Sequence, residues 1–578
     1  MKILYTSLKF IIVEVIIIFG LIFSINNYIG NVEQTINADG VGYYDYLPSL
    51  AIHHDLVRKN NPFKDTPDLY YRIDSTSVYV DYKDFKVNKY PCGTALLQLP
   101  FFTFAYLTSD LESTIHDGYQ KPFQKAIFYA AIFYLFLSLL FLKKILSLYD
   151  VKPYIIAFSQ LILVLATSVT HYVNVEAGFS HIYSLFAVTA FIYFVKSYFN
   201  QNKTIHSVLA FACLGLVFIL RQPNILIVLF IPFLAGSQEN LIASFKTLFI
   251  NFKSLILGIL LFLGITSIQL VLWYLQTGDF FVYSYQGEGF DFLDPYFFSI
   301  LFSYKKGLFI YTPVLLISML SLIWLIYKKS YYLFFTWIAF FTTLTFVLSS
   351  WWSWYYGCSY GLRAYIDYYV IFLIPFAIML DRIKKIPRLV IIILSLFTIP
   401  LNIIQCYQYK EYILHWIDMD EEKYWKVFLK TEDRFGGLLW KSQLDSNLYS
   451  VVKEINAGDF SSTENSTAQL FSGKSSEIEP FDKVSMIQVL FENDFDENNL
   501  SYLNLAVTRV NDNFIFFEQN RNLIHFHQGN LNEWHEGYYI FEFDPITDNQ
   551  EVAITLKVIS ADKKDYLKNV RLKFYSKP

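Results

Sequence analysis

Charge is scarce in this chain. Only 17% of its 578 residues are charged, whereas 54% are hydrophobic and 19% are aromatic. A soluble protein of this length needs more charge to cover its surface, so the composition argues against an ordinary soluble enzyme. The formal net charge of −4 also provides no basic face for nucleic acid. The composition therefore indicates an integral membrane protein that does not bind nucleic acid.

Cysteine is scarce as well. The chain has four: Cys92, Cys213, Cys358 and Cys406. They show no CxxC spacing, so the sequence predicts neither a disulfide framework nor a zinc site. His53 and His54 are adjacent, point apart on a helix, and have no third ligand at a usual spacing. We expect no metal site and no cofactor, and a dependence on a free divalent metal stays open.

Long apolar runs, by contrast, are abundant. A helix needs about 20 mainly apolar residues to cross the hydrocarbon core of a membrane. The sequence predicts about eleven spans, near residues 10–29, 123–142, 153–171, 177–195, 204–220, 222–237, 254–276, 307–327, 331–350, 364–381 and 389–407. The first run is too long for a signal peptide and no small-residue cleavage site follows it, so we expect a span there.

Basic residues orient these spans. With a cytoplasmic N-terminus, most lysines and arginines fall in inner loops. The short outer loops hold only four: Arg221, Lys305, Lys306 and Arg363. This asymmetry follows the positive-inside rule, and an odd number of spans places the C-terminus outside. Because the Phe, Tyr, Ile, Lys and Asn content is typical of an AT-rich bacterial genome, we predict a multi-pass protein of the bacterial inner membrane.

Two predicted outer segments are too large to be simple connectors. One is the loop 30–122, and the other is the tail of the chain. Within the loop, apolar residues at helical spacing over 41–58 predict an amphipathic helix lying on the membrane. The apolar segment 94–107 is short for a span and predicts a re-entrant or interfacial segment. We take residues 1–440 as the membrane domain.

The tail differs in composition from the membrane domain. Residues 457–480 are rich in Ser, Thr, Asn and Gly and predict a linker, which we take as residues 441–480. In 481–578, short alternating runs broken by Asn, Asp and Gly predict an extracytoplasmic antiparallel β-sandwich. These runs are 485–491, 513–518, 523–527, 538–543, 551–558 and 570–575. A stabilising or docking module is one reading of this domain, and a sugar-binding face with Trp534, Tyr538 and Tyr539 is another.

Asp39 is the candidate catalytic residue of the first outer loop. It follows the first predicted span and precedes glycines and the predicted interfacial helix, at the edge of a low-dielectric region. A carboxylate in such a place is a candidate general base with a raised pKa. A lone Asp also commonly caps the helix that follows it, and the residues alone leave both roles open.

The outer-face cations indicate an anionic ligand. Arg221 interrupts an apolar stretch, Arg363 ends a long uncharged one, and Lys305 stands directly before a span. Such cations are costly and usually functional, although snorkelling to lipid headgroups is the ordinary alternative. Arginine suits bidentate binding of a phosphate. Other intramembrane polar residues line the same cavity or pair internally: Glu14, Glu176, His181 and Asp367.

The order of these features resembles that of C-type (GT-C) polytopic membrane glycosyltransferases, especially the bacterial relatives of protein O-mannosyltransferases and aminoarabinose transferases. The resemblance covers about residues 10–410. Its segments are Asp39, residues 89–102, Phe179-Ser180-His181, Arg221-Gln222-Pro223, residues 301–303 with Gly307-Leu308 and Thr312-Pro313, and residues 354–357 with 361–363.

The resemblance implies roles for particular residues. Asp39 would be catalytic. Substrate binding would fall on Tyr43, Lys89, His181, Arg221, Lys305 and Arg363. Many members carry a second acid directly after the catalytic one, whereas Gly40 follows here, which weakens any inference of a metal site. Cys92 replaces the second proline of a Lys-x-Pro-Pro segment, and we expect a local backbone change there.

The resemblance also implies a reaction. A hexose or pentose would pass from a polyprenyl phosphate to an acceptor of the cell envelope, which is a glycan, a lipid or a protein, on the outer face of the membrane. The expected partners are this donor, this acceptor and membrane lipids. A polysaccharide polymerase or ligase is an alternative, but its large interspan loop comes late in the chain. A multi-pass transporter is another, although no inverted repeat is visible.

Overall fold

The computed structural model describes residues 12–21, 35–56, 78–109, 117–431, 435, 439, 450–461, 467–493, 501–511, 515–522, 535–543, 545–546, 551–559 and 566–576. These residues divide into two units. One comprises the described residues up to Tyr407 together with Trp416–Asp420, and the other comprises Gln408–His415 and the described residues from Glu421 onward. The first is helical and the second is mainly β-structure. The division falls earlier in the chain than the predicted boundary at residue 440.

Helices dominate the chain up to Lys410. The α-helices are Asp39–Tyr44, Tyr46–Ala51, Gly93–Thr108, Lys121–Ser147, Pro153–Leu165, Val169–Asn174, His181–Gln201, Thr204–Leu220, Ile231–Ala235, Gln238–Ile250, Phe252–Thr277, Phe297–Phe302, Leu308–Tyr311, Pro313–Ser318, Leu320–Tyr327, Tyr331–Ser349, Tyr369–Arg382 and Lys385–Lys410. Residues 12–20 are also helical. Two 3-10 helices are Gln222–Phe230 and Arg363–Tyr368. Strands β1 (Tyr79–Tyr82) and β2 (Phe85–Asn88) form an antiparallel hairpin.

Six helices of the described residues are long and apolar enough to cross a membrane. They are Lys121–Ser147, His181–Gln201, Phe252–Thr277, Tyr331–Ser349, Arg363–Arg382 and Lys385–Lys410. The pair Gln222–Ala235 and Gln238–Ile250, bent by 118°, is a seventh candidate. Most other predicted runs are helical but short or broken. In the run 307–327, Pro313 starts a new helix because proline cannot continue the preceding one. The count of about eleven spans stays a prediction.

The predicted interfacial helix over 41–58 is wrong in its detail. Two short helices, Asp39–Tyr44 and Tyr46–Ala51, take its place. Tyr43 and Leu47, expected on a lipid-facing side, are only 6% and 7% exposed. Their apolar side chains pack inside the protein, because the helices that follow enclose this segment. Asp39 is therefore held at the start of a buried helix.

The helix Gly93–Thr108 corresponds to the segment predicted as re-entrant or interfacial. It has 16 residues, which is short of the roughly 20 that a span requires. A Cβ at Gly93 would lie 2.5 Å from backbone atoms of Ile219, so only glycine permits this helix to start so close to the end of Thr204–Leu220. That close approach places residues 89–92 beside Arg221.

The second unit contains a sandwich of two four-stranded antiparallel sheets. The strand orders are β3-β10-β5-β8 and β4-β9-β6-β7. The strands are β3 (Ser450–Ser461), β4 (Thr467–Lys474), β5 (Val484–Asn493), β6 (Tyr502–Arg509), β7 (Ile515–Asn522), β8 (His535–Glu542), β9 (Val552–Ile559) and β10 (Tyr566–Ser576). Side chains from both sheets, including Val489, Leu505, Ile554 and Leu572, form one apolar core, as the alternating pattern predicts. A short helix, Glu421–Val427, precedes the strands.

The predicted linker, 441–480, contains two of these strands. β3 and β4 are the edge strands of their sheets, and edge strands carry polar, half-exposed side chains that conceal the alternation. The aromatic face suggested for this domain is not supported at Tyr539, which is 1% exposed and stacks on Phe491 in the core. The predicted run 523–527 and Trp534 lie outside the described residues.

Candidate active site

Asp39 forms an ion pair rather than a helix cap. It is the first residue of its helix, the cap position is Ala38, and no side-chain capping bond forms. One carboxylate oxygen, Oδ2, lies 2.7 Å from Nη1 of Arg363. The other, Oδ1, accepts a hydrogen bond from the Tyr90 hydroxyl at 2.8 Å. The capping role that the sequence left open is therefore excluded.

Glycine at position 42 permits the contact between Asp39 and Tyr90. A Cβ there would overlap the Tyr90 ring, so the ring lies directly on the first turn of the helix. The Tyr43 ring is packed beside it, with the two centroids 4.7 Å apart. Asn88 holds the segment before Tyr90 against this helix, since its side chain donates to the Gly42 carbonyl at 2.8 Å.

The pKa of Asp39 is lower than the sequence suggests. Burial raises the pKa of this carboxyl, but the Arg363 guanidinium and the Tyr90 hydroxyl outweigh burial and hold the pKa below its usual value. The expectation of a raised pKa is wrong, because the Arg363 guanidinium that opposes burial comes from a distant part of the chain. Asp39 is an ionised carboxylate at neutral pH.

A second ion pair lies in the same region and centres on Asp367. This carboxylate is fully buried. Its Oδ2 accepts from Arg221 Nη1 at 3.1 Å and from Asn224 Nδ2 at 2.7 Å, while Oδ1 lies 3.0 Å from Nδ1 of His181. Arg221 has an extended backbone conformation between the helix Thr204–Leu220 and the 3-10 helix Gln222–Phe230. Its side chain reaches Asp367 from this position.

A third ion pair joins Lys89 to Glu288. Glu288 belongs to residues 279–295, which connect two helices and which we call the strap. The strap is fixed to the loop before Gly93 by this pair and by the Ser284 hydroxyl, which donates to the Lys89 carbonyl at 2.8 Å. At its start, Asp279 accepts from Lys83 of the β1–β2 hairpin at 2.5 Å.

The far end of the strap is fixed to a different part of the fold. The Trp352 amide donates to the Gly289 carbonyl at 2.9 Å, and Phe290 forms an isolated antiparallel bridge with Trp351. The strap therefore connects the loop that contains Lys89 with the segment that precedes Arg363.

These three ion pairs surround one cavity of about 710 Å³. Six of the seven residues proposed for the site line it: Asp39, Tyr43, Lys89, His181, Arg221 and Arg363. Aromatic rings complete much of the wall: Tyr285, Trp351, Tyr355 and Tyr356. The cavity thus combines two carboxylates, Asp39 and Glu288, with three cations and stacking surfaces, a set that suits a sugar joined to a phosphate.

Lys305, the seventh predicted residue, does not line this cavity. Its ammonium lies 4.0 Å from the centre of the Tyr355 ring, a cation–π contact that supports the wall from outside. Its neighbour Lys306 is 2% exposed and donates to the carbonyls of Ser359 and Trp416. Both lysines therefore hold backbone and rings in place.

Three members of the site were not among the predicted site residues: Tyr90, Glu288 and Asp367. Tyr90 belongs to the segment 89–102 that carries the resemblance, so its place there was the available signal. Asp367 was noted as an intramembrane acid, and such acids are usually paired and functional. The sequence contained no signal for Glu288, because no local pattern predicts that the strap contacts Lys89.

Metal ligands are not clustered in the part of the chain that the structure describes. No three His, Cys, Asp or Glu side chains of those residues come together in a group that could hold a metal ion.

Comparisons with known proteins come from solved structures. No family model and no curated protein matches the chain. The oligosaccharyltransferase of Archaeoglobus fulgidus in its apo form is similar at 12% identity and a TM-score of 0.41, over 74% of this chain and 60% of that one. The same enzyme with an inhibitory peptide and a dolichol-phosphate gives 10% and 0.38, over the same shares. Arabinosyltransferase EmbB from Mycobacterium smegmatis gives 9% and 0.34, over 98% and 64%.

These enzymes are GT-C polytopic membrane glycosyltransferases, the class that the order of motifs resembles. The chain spans about two thirds or less of the length of each. With identities near 10% and TM-scores below 0.5, the similarity assigns no activity, substrate or partner to this chain.

Proposed function

We propose that this protein is a membrane glycosyltransferase that transfers a sugar from a polyprenyl phosphate to a hydroxyl acceptor of the cell envelope on the outer face of the bacterial inner membrane. The observation that carries the proposal is the pairing of Asp39 with Arg363 inside a cavity that Arg221 and Lys89 also line. The ionised Asp39 carboxylate stands there among three cations, as attack of a hydroxyl on a glycosyl phosphate requires.

The cations suit the phosphate of the donor. Arg221 and Arg363 each use Nη1 for a carboxylate, and a guanidinium carries five N–H donors in all. Each arginine therefore retains donors for a phosphate. Lys89 adds a third positive charge on the same wall. In this proposal the phosphate displaces the Asp39 carboxylate from Arg363, which frees Asp39 for the acceptor.

The chemistry then follows from the charges. Asp39 takes the proton of the acceptor hydroxyl as that oxygen bonds to the anomeric carbon. The bond between the anomeric carbon and the phosphate oxygen breaks, and its electron pair stays on the phosphate. A phosphate leaving group needs no proton at neutral pH, only cations placed where its charge grows. Loss of Arg363 from its pairing also removes the partner that lowers the pKa of Asp39, so donor binding makes the base stronger.

The remaining wall suits the rest of the donor. Aromatic rings such as Tyr285 and Trp351 offer faces for a sugar ring. Ile225, Leu226 and Val347 add an apolar part of the wall for the first isoprene units. Dolichol-phosphate, which the archaeal enzyme binds, is a lipid of the same class as the donor proposed here.

Transfer of a labelled sugar by the purified protein tests the proposal. The full-length protein in lipid nanodiscs would receive citronellyl phosphate carrying radiolabelled glucose, mannose, galactose or arabinose, with membrane glycans, lipids and proteins as acceptors. We expect labelled product and release of citronellyl phosphate with at least one sugar, and neither product with Asp39→Asn. Transfer from nucleotide sugars but from no lipid-linked sugar would contradict the proposal.

A further inference from the structure

The Asp367 carboxylate determines which nitrogen of His181 carries a proton. A carboxylate only accepts, so Nδ1, 3.0 Å from Oδ1, carries the hydrogen. Nη1 of Arg221 lies 3.4 Å from the same nitrogen, and it would repel a second positive charge on the ring. A neutral ring protonated at Nδ1 keeps its lone pair on Nε2.

That lone pair is available to a ligand. Among the residues that the structure describes, the His181 ring donates from Nδ1 to Asp367. Nη1 of Arg221 lies near the same nitrogen but is itself a donor, so it forms no hydrogen bond with the protonated Nδ1. His181 also lines the cavity. Tyr172 and Phe179 pack on the ring, with centroids 5.2 Å and 6.4 Å away, so its orientation is fixed. The wall therefore presents a rigid hydrogen-bond acceptor beside the Arg221 guanidinium.

We propose that His181 Nε2 accepts a hydrogen bond from the donor hydroxyl on the carbon next to the anomeric carbon, while Arg221 binds the phosphate. The inference rests on the proposed function and specifies its substrate class. Asp367 is a positioning residue here. Its buried carboxylate contacts both His181, which binds the sugar hydroxyl, and Arg221, which binds the phosphate, and so fixes the distance between them.

The chemistry of glycosyl phosphates fits this pair of groups. A ligand that contacts both must carry an anion and a hydrogen-bond donor a few ångström apart. In a glycosyl phosphate, the hydroxyl on the carbon next to the anomeric carbon is the sugar hydroxyl nearest to the phosphate. An analogue without it would leave a buried acceptor unpaired, which a polar site rejects strongly. The site should therefore select sugars with a free hydroxyl at this carbon.

Modified donors test the inference directly. The full-length protein in nanodiscs would be titrated by calorimetry with citronellyl phosphate carrying glucose, mannose, galactose or arabinose. Each sugar would be compared with its 2-deoxy and 2-deoxy-2-fluoro counterparts and with citronellyl phosphate alone. Fluorine replaces the hydroxyl in size but has no hydrogen to donate. For the sugar that binds best, we expect both analogues to bind about tenfold more weakly, the usual effect of one lost hydrogen bond of this kind.

Variants assign that discrimination to His181. His181→Phe should bind the parent sugar donor and both analogues equally within about twofold. His181→Gln, which retains an acceptor oxygen, should keep part of the discrimination. His206→Phe makes the same change outside the cavity and should keep all of it. Asp367→Asn should lose the discrimination and also weaken binding of citronellyl phosphate alone, because Asp367 orients Arg221 as well.

The outcomes separate this inference from the proposed function. If the wild-type protein binds a sugar donor but binds its deoxy and fluoro analogues equally well, the inference fails and the glycosyltransferase proposal stands. The inference also fails, and the glycosyltransferase proposal stands, if a folded His181→Phe protein still binds the parent donor more tightly than its deoxy and fluoro analogues to the same extent as the wild type. If no sugar-bearing donor binds more tightly than citronellyl phosphate alone, the proposed function fails with it.

Discussion

Two carboxylates line the cavity, and replacing them one at a time gives the sharpest test of the mechanism. Asp39 and Glu288 each pair with a cation, and their side chains are 26% and 23% exposed. Asp39→Asn and Glu288→Gln therefore remove the same charge from nearly the same degree of burial. Only Asp39 is proposed to take the acceptor's proton, so only its loss should stop the chemical step.

The expected sizes of the two effects differ. A positioned general base contributes about 10²–10⁴-fold to a rate, which is about 3–5 kcal/mol of activation free energy. We expect Asp39→Asn to lose that much in single-turnover transfer with saturating donor, and Glu288→Gln to lose less than about tenfold. Donor affinity of Asp39→Asn should be retained or should increase, because Arg363 no longer has to leave a carboxylate.

Stability is the control for both variants. Removing one partner of a fully buried ion pair costs about 3–5 kcal/mol. Since both carboxylates are about a quarter exposed and an amide oxygen still accepts hydrogen bonds, we expect about 1–2 kcal/mol of lost unfolding free energy in each variant. Thermal unfolding in nanodiscs measures this. A folded Asp39→Asn protein that transfers within tenfold of the wild-type rate, or equal rate losses in the two variants, would refute Asp39 as the base.

Four further predictions concern the cations, the pH dependence and the topology. Arg221→Lys and Arg363→Lys should each weaken donor binding about tenfold, because an ammonium cannot reproduce a bidentate guanidinium contact; unchanged Kd values in both would leave these arginines with a structural role. Lys305→Met should keep donor affinity within about twofold, whereas Lys89→Met should weaken it, and equal losses would contradict the position of Lys305 outside the cavity. Burial raises the pKa of Asp39, and Arg363 together with the Tyr90 hydroxyl more than offsets it, so Arg363→Gln should move the acid limb of the kcat/KM profile to higher pH; an unmoved acid limb would contradict this explanation. A C-terminal reporter that is active only in the cytoplasm should stay silent, and a bright signal would overturn the predicted orientation.

The sequence predicted which residues line the site better than it predicted how they are paired. Residue type and position relative to apolar runs identified Asp39, Arg221 and Arg363, because a charge beside a membrane span is costly and therefore informative. Their partners were not predictable. Asp367 is separated from Arg221 by 146 positions, and Lys89 from Glu288 by 199, and no local pattern records such pairings. The prediction of a raised pKa for Asp39 was wrong for the same reason, because it depends on the distant partner Arg363.

The fold shows the same division. Long apolar runs predicted most of the helices, because hydropathy over 20 residues is a strong signal. The run 307–327 gave a single predicted span, whereas the structure breaks it at Pro313, a local effect that mean hydropathy does not register. The edge strands β3 and β4 were read as linker because their exposed polar side chains resemble those of a loop.

The three ion pairs around the cavity also affect which anions reach it. Three cations and three carboxylates leave this region without net charge, so it generates little long-range electrostatic attraction. Free inorganic phosphate would have to break an ion pair with no lipid chain to offset that cost, and should compete poorly even at millimolar concentration. Affinity for a lipid-linked anion should likewise change little with ionic strength, because buried pairs are screened far less than exposed charges. Selection for a membrane-borne substrate over soluble phosphate would then follow from a cavity whose cations are already neutralised.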